Sequence, residues 1–272
     1  MRRLVGLGLA LAALLTASLA RTQSATGDLV AHDSLRVCAD PRDLPFSDEQ
    51  GNGFENKIAE LLGGDLSVPV TYVWYPHVTG FLKNTLLAGR CDLVMGTVAG
   101  DSEMETTSPY YYTGYVMVFR RDGDWRFTDW NDPALKQLRF GVVARTPPAD
   151  LLLSHGLMDR VKPYPLVVDT RVDAPSQRML HDVVDKTIDV GLLWGPLAGY
   201  YIRHENLPLT LSLLKGEPSL PRLDYHISMG LRRNEGDWRR KLNGLIRARQ
   251  EDINKILIDY GVPLFDEQGA PI

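Results

Sequence analysis

The sequence predicts an α/β protein of two lobes, each a mostly parallel sheet flanked by helices, with two hinge strands crossing between them. Three observations carry that prediction. Strand and helix patterns alternate from Leu35 to Gly96, the alternation starts again near Leu138, and a further strand and a long helix follow that can return to the first lobe. Alternation of this kind implies parallel strands joined by crossover helices, and such sheets bind ligands at the carboxyl ends of their strands. The expected division puts residues 35–119 and 226–272 in one lobe and residues 120–225 in the other.

The chain opens MRRLVGLGLALAALLTASLA, with basic residues Arg2 and Arg3, an apolar run, and small residues Ser18 and Ala20 at a cleavage position. Residues 1–20 therefore read as a secretory signal peptide. Arg21 ends the run, and no later segment approaches the ~20 apolar residues of a membrane span, so no stable membrane insertion is expected. No cysteine follows the cleavage position, which argues against a bacterial lipid anchor. Thr22 to Ser34 is small and polar, as an exit segment would be.

"LRVC" reads as a strand, and Phe54, Ile58, Leu61 and Leu62 repeat at helical spacing until Gly63 and Gly64. "VPVTYVWY" is a second strand, Phe81, Leu82, Leu86 and Leu87 mark a helix that Gly89 ends, and "CDLVMG" is a third strand. Their carboxyl ends are "ADPRDLPF", "PHVTG" and "GTVAG", which contains Thr97. An aromatic loop, "SPYYYTG", leads into an apolar strand from Tyr115 to Phe119 and a charged break from Arg120 to Asp124. In the second lobe "LRFGVVA", "YPLVVD" and "IDVGLLW" are strands. "TPPADLLLSHG" is a helix that Thr146 can cap with Pro147 in its first turn, and a second helix runs through Met179, Leu180, Val183 and Val184. "LDYHISMGLRR" returns as a strand, and the last helix runs from about Asp237 to Tyr260, where Gly261 and Pro263 end it.

Loss of the leader leaves 28 basic against 34 acidic residues, a formal charge of −6 instead of −4. Nucleic acid is therefore not an expected partner, because that binding needs a basic surface. Arg232, Arg233, Arg239, Arg240 and Lys241 read as a solvated face of the last helix. The two cysteines, Cys38 and Cys91, are a pair that an exported protein can oxidise; the alternative is two small buried hydrophobes on neighbouring strands. Six scattered histidines make no i, i+4 pair, so no metal site is expected, and no P-loop, nucleophile elbow or dinucleotide fingerprint is present. No cofactor and no catalytic residue is assigned.

The order of motifs resembles the periplasmic solute-binding proteins of the amino-acid type, through "LRVCADPRDLPF", "GFENKIAELL", "AGRCDLVMG" and "SPYY". Within that superfamily, "RVCADPRDLPFSDEQGNGFENKIAELL", "GFLKNTLLAGRCDLVMG" and "SPYYYTGYVMVFR" are similar to the MxaJ and XoxJ group, encoded beside quinoprotein methanol dehydrogenases. The resemblance implies a periplasmic binding-protein fold and a non-enzymatic accessory role, with the dehydrogenase as partner and a protein or hydrophobic segment in the cleft. Two alternatives accompany it: a receptor delivering a small non-amino-acid solute to an ABC permease and, more distantly, a cleft dehydratase.

The amino-acid binders grip the ligand carboxylate with an Arg shortly after the third strand, by bidentate geometry. Here no Lys or Arg lies between Arg90 and Arg120, where Asp101, Glu103 and Glu105 stand instead, and Trp194 occupies the strand end where those binders carry an ammonium-holding Asp. The expected cleft is apolar with polar tips: Pro45, Phe46, Trp74, Tyr110, Tyr111, Tyr112 and Trp194, each of which could instead fill a lobe core. Asp40 and Asp43 are cleft groups or turn-stabilising side chains. Arg145, beside Thr146, binds an anion with the helix amino end, pairs with Glu103 or Glu105, or is a solvated surface group.

Overall fold

A computed structural model describes residues 30–123, 130–166, 174–266 and 270–272. The signal peptide, most of the exit segment and part of the "YPLVVD" stretch lie outside the described residues. The first half contains β1 (Leu35–Ala39), a hairpin of β2 (Arg42–Asp43) and β3 (Ser47–Asp48), α1 (Phe54–Leu66), β4 (Val70–Trp74), the single turn α2 (Phe81–Asn84), β5 (Leu93–Val98) and β6 (Glu105–Thr106). β7 (Tyr111–Arg120) leaves it. The second half holds β8 (Phe140–Val143), α3 (Pro147–Ser154), β9 (Val161–Tyr164), α4 (Pro175–Val184), β10 (Val190–Trp194), α5 (Gly195–His204) and β11 (Leu209–Leu213). β12 (Asp224–Leu231) returns, and α6 (Gly236–Asp259) packs on the first half.

The sheet runs β4-β1-β5-β12-β7-β10-β8-β9, with β11 on β7 and β6 on β12. β1 is parallel to β4 and β5, and β8 is parallel to β9 and β10. The crossing strands are antiparallel to their neighbours, and β7 changes partner along its length: Tyr111–Gly114 pair with β12, while Tyr115–Val118 pair with β10. We propose the lobe division anticipated above, whose limits at 119 and 226 fall within about five residues of these exchanges.

Each half buries its own core. Phe54, Ile58, Ala59 and Leu62 form the inner face of α1 against β1, β5 and α6, while Met179, Leu180 and Val183 of α4 cover β8 and β10. Burial at about 25 cal/mol per Å² of apolar surface is what holds such helices to their sheets. Cys38 and Cys91 are joined, with Cα atoms 5.5 Å apart, tying the end of β1 to the entry of β5.

Several elements differ from expectation. β7 begins at Tyr111, inside the stretch read as an aromatic loop, because Tyr111–Gly114 pair with β12. The second helix stops at Asn84, because Thr85 leaves helical geometry (φ −123°, ψ −88°) while its hydroxyl satisfies the Phe81 carbonyl; turns carry the chain to Gly89. β9 ends at Tyr164, earlier than "YPLVVD" implies, since Val161–Tyr164 match the register of Phe140–Val143. α5 and β11 were not anticipated. Arg232 is not a solvated group either: it is 6% exposed at the end of β12, bonded to Asp92 and Glu235.

Candidate functional site

The carboxyl ends of both parallel triplets meet at one cleft. Its larger part, a cavity of about 610 Å³, runs between Arg42, Asp43, Leu44 and Asp48 of the first half and Val143, Thr146, Leu166, Trp194 and Tyr201 of the second. An adjoining cavity of about 420 Å³ reaches the first half's sheet, against Phe46, Glu55, His77, Gly96 and Tyr225. Asp43, Tyr115 and Trp194 line both.

The loop after β1 is stiff for reasons visible in its sequence. Asp40 accepts the Arg42 N–H through Oδ1 (2.8 Å) and the His77 N–H through Oδ2 (2.6 Å), so both its oxygens brace backbone. Ser47 Oγ donates to the Asp40 carbonyl at 2.8 Å. Asn56 Oδ1, reaching back from α1, accepts from Asp48 N–H (3.0 Å) and Gly53 N–H (3.1 Å). A Cβ at Gly53 would lie 2.0 Å from the Phe46 carbonyl oxygen, so only glycine permits that approach. The loop thereby presents Asp43 and Phe46 to the cleft while Pro45 is buried behind them.

Aromatic rings form the facing wall. Trp194, at the amino end of α5, contacts Tyr115 edge-on (centroids 5.2 Å) and Tyr225 (5.9 Å). Burial, with Tyr225 nearby, pushes the Tyr115 phenol up to about 12. On the floor Glu55 is 7% exposed, and its Oε1 accepts the Gly96 N–H at 3.0 Å. Desolvation raises its carboxyl from the ordinary 4.5 to about 7, against the opposing pull of His77 and the Gly96 hydrogen bond. His77 Nδ1 lies 3.3 Å from Asp43 Oδ2 and its ring packs on Phe81. Burial works against the imidazolium, but the Asp43 hydrogen bond and the charges of Glu55, Asp43 and Asp40 together raise its pKa.

Of the anticipated residues, the structure brings Asp43, Phe46, Thr146 and Trp194 to the cleft wall. Thr146 stands at the start of α3 but does not cap it: its hydroxyl donates back to the Val143 carbonyl at 2.6 Å. The others are elsewhere. Trp74 stacks on Tyr72 at the outer strand (4.5 Å), Thr97 is buried opposite Ser228, and Tyr110 and Tyr111 are core residues, 1% and 7% exposed. Tyr112 packs on His226 and faces a separate groove of about 710 Å³ with Asp224 and Pro263. Arg145 is exposed at φ +65° and lines neither cavity, and Glu105 pairs with Arg239 instead. Residues absent from the expected cleft lining are Tyr115, Tyr225, His77 and Glu55. Among the described residues no group of His, Cys, Asp and Glu is arranged to hold a metal.

Comparison with protein-family profiles gives no match. The crystal structure of periplasmic binding protein XoxJ from Methylobacterium extorquens AM1 is 37% identical, over 86% of this chain and 100% of that one, with a TM-score of 0.71. The chain belongs to the XoxJ family of periplasmic binding proteins. MxaJ from Methlophaga aminisulfidivorans MPT is 25% identical over 85% of this chain and 100% of its own, with a TM-score of 0.71. Protein MoxJ of Paracoccus denitrificans is 28% identical over 285 residues, 97% of either chain. More distant matches among amino-acid-binding proteins share the fold alone. No described helix is long and apolar enough to cross a membrane.

Proposed function

We propose that the protein is a non-enzymatic periplasmic accessory factor of a quinoprotein methanol dehydrogenase, and that its cleft holds a segment of that partner during maturation or activation. The observation that carries this reading is the match to XoxJ along that chain's whole length, joined to the resemblance to the group encoded beside such dehydrogenases. The site is in keeping with it. Between Arg90 and Arg120 no guanidinium is present for an amino-acid carboxylate, while Trp194, Tyr115 and Tyr225 present broad amphipathic surface. Exposed apolar side chains mark the cleft and its mouth, Val98 at 43% and Leu166 at 54%, as a surface for protein contact requires.

Affinity capture of the dehydrogenase from the same organism by the tagged protein should recover a complex, and a strain lacking this gene should lose dehydrogenase activity. Normal activity in that strain would refute the accessory role.

A further inference from the structure

We propose that the floor of the cleft is a subsite for an alkylammonium cation, held by the Glu55 carboxylate against the rings of Phe46, Trp194 and Tyr225. The proposal rests on reading the cleft as a binding site and names the chemistry that the site takes. Glu55 is 93% buried yet lines the cavity. Its Oε1 accepts the Gly96 N–H, and its Oε2 makes no hydrogen bond among the described residues. Gly96 is what admits the carboxylate, since a Cβ there would sit 2.4 Å from Oε1.

The groups facing Glu55 do not discharge it. Asp43 is a second acid, and His77, the one titratable base among the described residues lining this cavity, is engaged by Asp43 and offsets the Glu55 charge only in part. The remaining titratable neighbours, Tyr72, Tyr110 and Tyr111 with Tyr115 and Tyr225 of the wall, are phenols that burial keeps neutral. A buried carboxylate without a full counter-charge is costly, and a cation entering the cavity supplies the missing partner. The aromatic walls add cation–π attraction, which strengthens when water is excluded. An anion would meet two carboxylates, and a neutral group would compensate neither. With Oε1 committed to Gly96, a single free oxygen suits a compact ammonium better than the two-pronged guanidinium.

Such a cation can be a small amine or a lysine side chain of a partner segment, and the test separates them. The intact mature protein is titrated calorimetrically with n-hexylammonium, 1-hexanol and hexanoate, then with the capped peptides Val-Lys-Leu and Val-Gln-Leu. Ammonium compounds should bind, with the alcohol, the acid and the Gln peptide weaker by about tenfold or more. A Lys peptide that binds tighter than hexylammonium identifies a partner segment as the source; the reverse order identifies a small amine. Glu55→Gln keeps an oxygen for the Gly96 N–H and should weaken hexylammonium by about tenfold. Should that variant fail to fold, the wild-type protein still decides the matter. A carboxyl held at about 7 releases its proton to the buffer as the cation binds. Heats measured near pH 7 in buffers of different ionisation enthalpy should therefore reveal proton release, and affinity should fall at about pH 5, where the carboxyl is neutral. Equal binding of hexanol and hexylammonium, absence of binding by every probe, or no effect of Glu55→Gln would overturn the proposal. Capture of the dehydrogenase could still succeed in that event, so the two ideas fail separately.

Discussion

Replacing Glu55 by glutamine should flatten the dependence of stability on pH between about 4.5 and 7. The carboxyl's folded value is about 7 against an ordinary 4.5, mainly because burial penalises the charged form. The folded state therefore holds a proton that the unfolded chain has released in this interval. Its stabilising contribution is complete below about 4.5 and is lost as pH rises through about 7. At about 1.4 kcal/mol per pH unit the wild-type protein should lose about 3 kcal/mol across the window from this group. His77, raised above its usual range although burial opposes it, contributes a slope of the same sign; part of that rise comes from the Glu55 charge, so Glu55→Gln shrinks this slope too and the two effects add. Asp92, Asp182 and Asp189 are held below the usual carboxylate range by ion pairs and titrate under the window. Urea unfolding of both proteins at about pH 5 and about pH 7.5 measures the difference directly. Parallel profiles would refute the reasoning, since they would mean that Glu55 is solvated in the folded state.

Two further perturbations test the scaffold. Opening the Cys38–Cys91 bridge releases a loop of 53 residues' separation, which on chain-entropy grounds should cost about 4 kcal/mol. Reduced wild-type protein and the Cys38→Ala, Cys91→Ala double variant should both melt about 10 °C lower, and unchanged melting would show that the bridge constrains little. Arg232→Met leaves Asp92, 1% exposed, with Arg36 as its remaining ion-pair partner, and should cost about 3 kcal/mol by denaturant unfolding.

Much of the fold was legible because its elements are periodic. The alternation of apolar stretches placed β1, α1, β4, β5, β8, α3, α4, β10, β12 and α6 to within a few residues, and the strand ends pointed to the edge of the sheet where the cavities lie. The side chains that line it were harder to read. Tyr110, Tyr111 and Tyr112 form one aromatic run, yet the first two are buried in the core and the third faces another groove. Tyr110 precedes β7 while Tyr111 and Tyr112 alternate across it, so the sorting of the three rings depends on where the strand begins, which lies inside the stretch read as a loop. Tyr115 and Tyr225 reach the cleft because two antiparallel strands exchange partners beside it, a property of tertiary pairing with no local pattern. Glu55 lies in the first turn of α1, where the helix dipole alone would account for an acid. Its role depends on Gly96, 41 residues away.

The Asn56 amide has a consequence for how such a cleft can diverge. One oxygen on the first turn of α1 holds both Asp48 and Gly53, so the shape of the loop before it is dictated from outside the loop. Transplanting residues 40–52 alone into a relative would move the sequence without its mould. Descendants of this scaffold are free to exchange the side chains at positions 43 and 46 and so try new cargo, while Gly53 and Asn56 stay fixed as the frame on which those trials are made.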